Sequence, residues 1–126
     1  MSRAALAAVA LALAPLSGCA VLAPPAGQTA PEQAIERRAV AVLALYAATL
    51  EAATPLVAAR ESPAAVVEAL VRAERVATPA VEALGAALRA HLIAHNAQST
   101  LALRMALAEA APSVTAFAQA LPMETR

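Results

Sequence analysis

The stretch that decides the fold is Ser62–Asn96, SPAAVVEALVRAERVATPAVEALGAALRAHLIAHN. Its apolar residues recur every three or four positions, which is the spacing of one face of an α-helix. Pro79 lies inside this run, and an interior proline normally kinks or breaks a helix at a cost of about 3 kcal/mol. Either a new helix begins at Thr78-Pro79 or one helix bends there. The spacing does not slip across Pro79, which falls opposite the apolar stripe, so we predict one proline-bent helix from about residue 63 to 95. The stripe consists of Val67, Leu70, Glu74, Ala77, Val81, Leu84, Leu88, His91 and His95.

A helix is also predicted before this segment. Thr29 and Glu32 have the spacing of a capping box, and the intervening proline suits a first helical turn. We expect Thr54-Pro55 to end this helix, because the residue before a proline is disfavoured in helical geometry. Ser62-Pro63 would then cap the next helix. The predicted buried stripe is Ile35, Ala39, Val42, Tyr46, Thr49 and Ala53.

A third helix follows the connection 96–100. Asn96 suits a left-handed position at a helix end, and Ser99 or Thr100 can cap the next helix. Pro112 falls away from the apolar stripe and Pro122 closes the helix. Because short connections favour antiparallel neighbours, residues 31–126 are predicted to form an all-α, up-down-up three-helix bundle. The stripe of this helix is Leu103, Leu107, Ala110, Val114, Phe117 and Leu121.

The amino-terminal residues have the order of a secretory signal: one positive charge, an apolar run and small residues before Cys19. The apolar run of about 13 residues is too short for a membrane span, which needs about 20. Leu16-Ser17-Gly18-Cys19 resembles the lipobox of the bacterial lipoprotein class. The resemblance implies removal of residues 1–18 and acylation of Cys19, which would anchor the protein to a lipid bilayer. The alternative is an ordinary secretory signal with a chance cysteine.

Residues 19–30 form a predicted flexible tether, since Pro24-Pro25 and Gly27 disfavour a helix. Residue 20 is alanine, whereas the lipoprotein class associates aspartate at that position with inner-membrane retention in some bacteria. The resemblance therefore implies an envelope location, on the outer membrane facing the periplasm if the host has two membranes.

Composition argues against several classes of function. The nine basic and nine acidic residues balance to zero net charge, which does not suggest nucleic-acid binding. The chain has no aspartate to orient a catalytic histidine and no glycine-rich phosphate loop. One tyrosine, one phenylalanine and no tryptophan offer little for stacking bases or sugars. We therefore predict a non-enzymatic protein without a cofactor.

His91 and His95 are the sharpest candidate site residues, because two imidazoles four positions apart share a helix face and suit a transition metal. A third ligand is not evident, since Glu74 would lie about 25 Å away along a continuous helix. The other interpretation is that histidines end the helix favourably by interacting with its dipole. A turn near residue 58 would place Glu32 opposite Leu84, so that both histidines project past the first helix.

Two further polar residues occupy the buried stripes. Tyr46 is expected in the core with a hydrogen-bonded hydroxyl. Glu74 is expected to form a partly exposed ion pair with Arg38 or Arg126, because a buried carboxylate without a partner is costly.

The preferred function is a structural or accessory role in the envelope through helical surface contacts, with an envelope protein or a second copy as partner. Apolar residues outside the stripes could form that surface, or simply widen the core face. Metal or small-ligand binding through His91 and His95 is the alternative function. The off-stripe residues are Val40, Val71, Ile93, Leu101 and Met105.

Overall fold

The computed structural model describes residues 29–125, so the predicted leader, Cys19 and the tether up to residue 28 lie outside the described residues. The chain divides into two units, Met1–Gln33 and Ala34–Arg126, and the second contains the packed core. The secondary structure of the described residues consists of helices joined by short connections and includes no strand. Their elements are α1 (Ala30–Ala58), α2 (Ala64–Ala94), α3 (Ala97–Ala120) and a 3-10 turn (Met123–Thr125).

Helix α1 begins with the predicted capping box. The Glu32 carboxylate accepts from the Thr29 backbone N–H at 2.8 Å, and the Glu32 N–H donates to the Thr29 hydroxyl at 3.4 Å. Two backbone donors at the helix start are thereby satisfied, which confirms the predicted start of α1.

The predicted end of α1 at Thr54-Pro55 is wrong, because the helix continues to Ala58. Pro55 is exposed, so water can solvate the carbonyl that its missing N–H leaves free. The predicted cap is also wrong: Pro63 is the N-cap of α2, and Ser62 makes no side-chain hydrogen bond within the described residues. The Ser62 backbone N–H instead closes the turn on the Ala59 carbonyl at 3.3 Å.

Helix α2 is continuous through Pro79, as its unbroken spacing predicted. Pro79 is exposed, and the hydroxyl of the preceding Thr78 lies 2.9 Å from the Glu74 carbonyl. Helix α3 likewise runs through the exposed Pro112. Both prolines lie on the solvent side, where losing one helical hydrogen bond costs least.

The connection between α2 and α3 differs from the prediction in two respects: the left-handed residue is not Asn96, and the cap of α3 is Asn96 rather than Ser99 or Thr100. His95, rather than Asn96, adopts the left-handed conformation, with φ 43° and ψ 47°. Asn96 is extended, and its side chain accepts from the Ser99 N–H at 2.8 Å as the cap of α3. Only two residues separate the helices. Because Asn96 caps the start of α3, the left-handed residue that reverses the chain direction is His95.

The core comprises two clusters within the described residues, one towards each end of the helices. Ala39 packs with Leu84 and Leu103 in the first cluster, whereas Ala53 packs with Leu70 and Phe117 in the second. The amino-terminal part of α1 therefore packs against the carboxyl-terminal part of α2 and the amino-terminal part of α3. These contacts are consistent with the predicted up-down-up bundle. Residues of all three predicted stripes supply the core.

Helices α1 and α3 are long and apolar enough to cross a membrane by length and composition alone. The core helices of globular domains pass the same test, and both helices contribute buried residues to the clusters described above. Of the apolar windows that meet this test, 11% of the one in α1 and 28% of the one in α3 is buried.

Candidate metal centre

Three potential metal ligands lie close together where α1 faces the carboxyl end of α2. Glu36 lies on α1, His91 in the last turn of α2, and His95 directly after that helix. One ligand atom from each of the three lies within 4.8 Å of the others. The sequence identified the two histidines but not Glu36.

The prediction that both histidines project past α1 is wrong. The His91 Nε2 lies 3.2 Å from the Glu36 Oε1, so His91 faces α1 directly. In sequence number, Glu36 and His91 lie equally far from Pro63–Ala64, whereas the prediction centred the turn near residue 58. The difference arises because α1 continues past Pro55, so the turn comes later in the chain. A correctly placed turn would have identified Glu36 as the third residue.

His91 is buried, with only 1% of its surface exposed, and both ring nitrogens have neighbours. Its Nδ1 lies 3.2 Å from the Ser99 hydroxyl, which also lies 3.0 Å from the Asn96 carbonyl. A neutral imidazole satisfies both neighbours when Nε2–H donates to the Glu36 carboxylate and Nδ1 accepts from Ser99. With a metal ion on Nε2, the Nδ1–H would donate to Ser99 instead.

His95 is exposed and completes the cluster from the connection between helices. Its ring lies edge-on to that of His91, with centroids 5.5 Å apart and planes at 66°. Its backbone N–H donates to the His91 carbonyl at 2.9 Å, which ties the left-handed residue to the last turn of α2. A non-glycine residue in this conformation is uncommon, and such residues cluster at functional sites.

The electrostatic surroundings favour a cation. The carboxyl end of α2 carries the negative pole of the helix dipole, and Glu36 adds a carboxylate that is 16% exposed. Two imidazoles and one carboxylate are a donor set that zinc and other divalent transition metals use in proteins. Ser99, which holds the opposite nitrogen of His91, supplies the outer hydrogen bond that metal-binding histidines usually have.

No family model, curated protein or solved structure matches the chain. The interpretation of this cluster consequently depends on its own geometry and chemistry.

The other two predicted polar residues, Tyr46 and Glu74, lie outside this cluster. The Tyr46 hydroxyl is 2.8 Å from the Thr78 hydroxyl, and its ring lies 5.9 Å from that of Phe117. The Glu74 carboxylate accepts from Thr78 at 2.8 Å. The predicted ion pair of Glu74 with Arg38 is not formed among the described residues, whereas the alternative partner Arg126 lies outside them.

Proposed function

We propose that the protein is a lipid-anchored protein of the bacterial envelope whose helical domain binds a divalent transition metal through Glu36, His91 and His95. The convergence of these three side chains from two helices supports the metal-binding part of the proposal. The lipobox resemblance at Cys19 supports the anchor.

The geometry requires only a small adjustment to hold a metal ion. Tetrahedral zinc with bonds of about 2.1 Å separates its ligand atoms by about 3.4 Å. Glu36 and His91 already have a separation of 3.2 Å. His95 is exposed, so its ring can move towards them without disturbing the core. Three protein ligands leave a fourth position for water or for an external ligand.

A zinc titration of the full chain tests the metal site. The protein would be untagged, in nonionic detergent, and would carry Cys19→Ser to remove its only thiol. We expect one saturable site and changes in the ring resonances of both histidines, which are the only two in the chain. Glu36→Gln and His95→Asn should each weaken binding by about a hundredfold or more, since even the loss of an outer-shell partner costs about 10–100-fold.

Matched controls separate ligation from general effects. Glu51→Gln makes the same change at an exposed carboxylate of α1 and should leave the affinity unchanged. Asparagine at position 95 tolerates the left-handed backbone better than most residues, so His95→Asn keeps the connection intact. Equal zinc affinity in the parent chain and in the Glu36→Gln and His95→Asn variants would contradict the proposed site.

The anchor has its own test. Mass spectrometry of the protein from its native host should find an amino-terminal Cys19 carrying a diacylglyceryl group. Cys19→Ser should abolish that mass and release the protein from membranes, since two or three acyl chains anchor stably. An intact leader or an unmodified thiol on the native protein would refute this part of the proposal without affecting the metal site.

A non-enzymatic contact role is the second candidate function. The five off-stripe apolar residues are all exposed, from 37% at Val71 to 85% at Ile93. Exposed apolar side chains favour association with a partner or with a second copy. Sedimentation of the full chain in detergent tests self-association. A concentration-dependent dimer that Ile93→Ser disrupts would support that role, and a monomer at all concentrations would exclude self-association.

A further inference from the structure

An apolar cavity lies beside the second core cluster, between α1 and α2, at a different level of the helices from the metal-ligand cluster. Its volume is about 350 Å³. Phe117 and Leu70, each 1% exposed, are among its lining residues, whereas Leu50 and Val57 are about two-fifths exposed and lie at its rim. It is more than twice the size of an engineered cavity of about 150 Å³ that binds benzene, and it falls within the usual range for ligand pockets.

One carboxylate lines this otherwise largely apolar cavity. The Glu74 Oε1 accepts from the Thr78 hydroxyl at 2.8 Å. The other oxygen, Oε2, has no hydrogen-bond partner among residues 29–125. Glu74 is of intermediate exposure, so solvent reaches this side chain, and its second carboxylate oxygen can accept from water or from the donor group of a ligand in the cavity.

A short network fixes the position of this carboxylate. Thr78 has a single hydroxyl hydrogen, and both the backbone carbonyl and the carboxylate of Glu74 lie within its reach, at 2.9 and 2.8 Å. When Thr78 donates to either oxygen of Glu74, the Tyr46 hydroxyl donates to the Thr78 oxygen at 2.8 Å. The Tyr46 ring packs against Phe117, which also lines the cavity. Glu74 is therefore held by Thr78, which is held in turn by Tyr46, a partly buried residue packed against the second core cluster. A preorganised acceptor loses little entropy on binding.

We propose that this cavity binds a small molecule with an apolar ring or short alkyl body and a protonated amine, the amine donating to the Glu74 Oε2. The apolar walls would bury the body. A charged donor is favoured over a hydroxyl because hydrogen bonds between ionised groups are about twice as strong as neutral ones. The chain contains no lysine, so a second copy has no lysine ammonium to offer at this position.

Three probes of the same shape test the proposal: benzylamine, benzyl alcohol and benzoate. The metal-free full chain would be placed in phosphatidylcholine nanodiscs, with empty nanodiscs correcting for partitioning. Phe117 is the only phenylalanine, so labelling that residue type gives a single reporter inside the cavity. We expect saturable shifts of this resonance, with benzylamine binding about tenfold tighter than benzyl alcohol and benzoate binding weakest.

Two variants assign the effect to the cavity and to its carboxylate. Glu74→Gln should weaken benzylamine binding about tenfold and leave benzyl alcohol binding within about twofold, because the amide keeps the shape but loses the charge. Glu82→Gln makes the same substitution at an exposed position of α2 and should change neither. Ala53→Leu should fill the cavity and remove binding of both probes, while an unchanged helical circular dichroism spectrum shows that the domain is folded.

The results that would overturn the proposal are specific. One is the absence of a saturable Phe117 shift with any probe. Another is equal affinity for the amine and the alcohol, or equal effects of Glu74→Gln and Glu82→Gln. A third is a Phe117 shift that appears only as the protein changes its oligomeric state, since a second copy would then be covering the cavity.

Discussion

Replacing His95 by glycine should stabilise the metal-free protein and, at the same time, weaken its binding of zinc. His95 has φ 43° and ψ 47°, which costs a non-glycine residue about 1–2 kcal/mol. Glycine avoids this cost but loses about 0.5–1 kcal/mol through its greater freedom in the unfolded chain. The His95 side chain is exposed, so little packing is lost. The balance is a stabilisation of about 1 kcal/mol or slightly less, which raises the Tm of a small domain by about 4–8 °C per kcal/mol.

Thermal unfolding followed by circular dichroism, with and without zinc, measures both effects. Zinc at a hundred times its Kd should stabilise the parent protein by about 2.7 kcal/mol, and neither His95→Gly nor His95→Ala should retain that gain at the same zinc concentration. His95→Ala is the control, because alanine removes the imidazole but keeps the strained backbone. Its metal-free Tm should therefore stay close to that of the parent.

Two results would refute this reasoning. A lower metal-free Tm for His95→Gly than for His95→Ala would mean that the left-handed backbone carries no relievable strain. Zinc stabilisation that survives in both variants would mean that His95 is not a ligand.

Four other substitutions test the fold. Gly85→Ala should stabilise the protein by about 0.5–1 kcal/mol in urea unfolding, because the added Cβ meets only the flexible end of Arg89 at 3.5 Å and alanine favours the helix; destabilisation would indicate tighter packing at this position. Leu84→Ala should cost about 2–5 kcal/mol in the same assay, because Leu84 is fully buried in the first core cluster. Ile93→Ala, at an 85% exposed position, should change stability by less than about 0.5 kcal/mol, and equal losses at the two positions would contradict the assigned core. Asn96→Ala should cost about 1 kcal/mol by removing the cap of α3, whereas no change in Tm would show that the capping bond contributes little.

Much of the local structure follows from the sequence. The three- and four-residue spacing predicted three helices and most of their buried stripes, because helical periodicity is a property of neighbouring residues. The capping box at Thr29 and the continuity of α2 through Pro79 followed for the same reason. Prolines were less predictable: Pro55 has the same local pattern as Pro79, yet it was expected to end its helix. Both are exposed, and exposure depends on how the helix packs.

The sequence by itself determined that this chain forms long amphipathic helices with two histidines four positions apart near the end of one of them, since those facts depend on residues a few positions apart. Only the tertiary structure decided that Glu36 meets His91 and that Glu74 faces a cavity. Each of these depends on where the turn between α1 and α2 falls. A small error in that turn shifts every pair of facing residues between the two helices, and no local pattern fixes it.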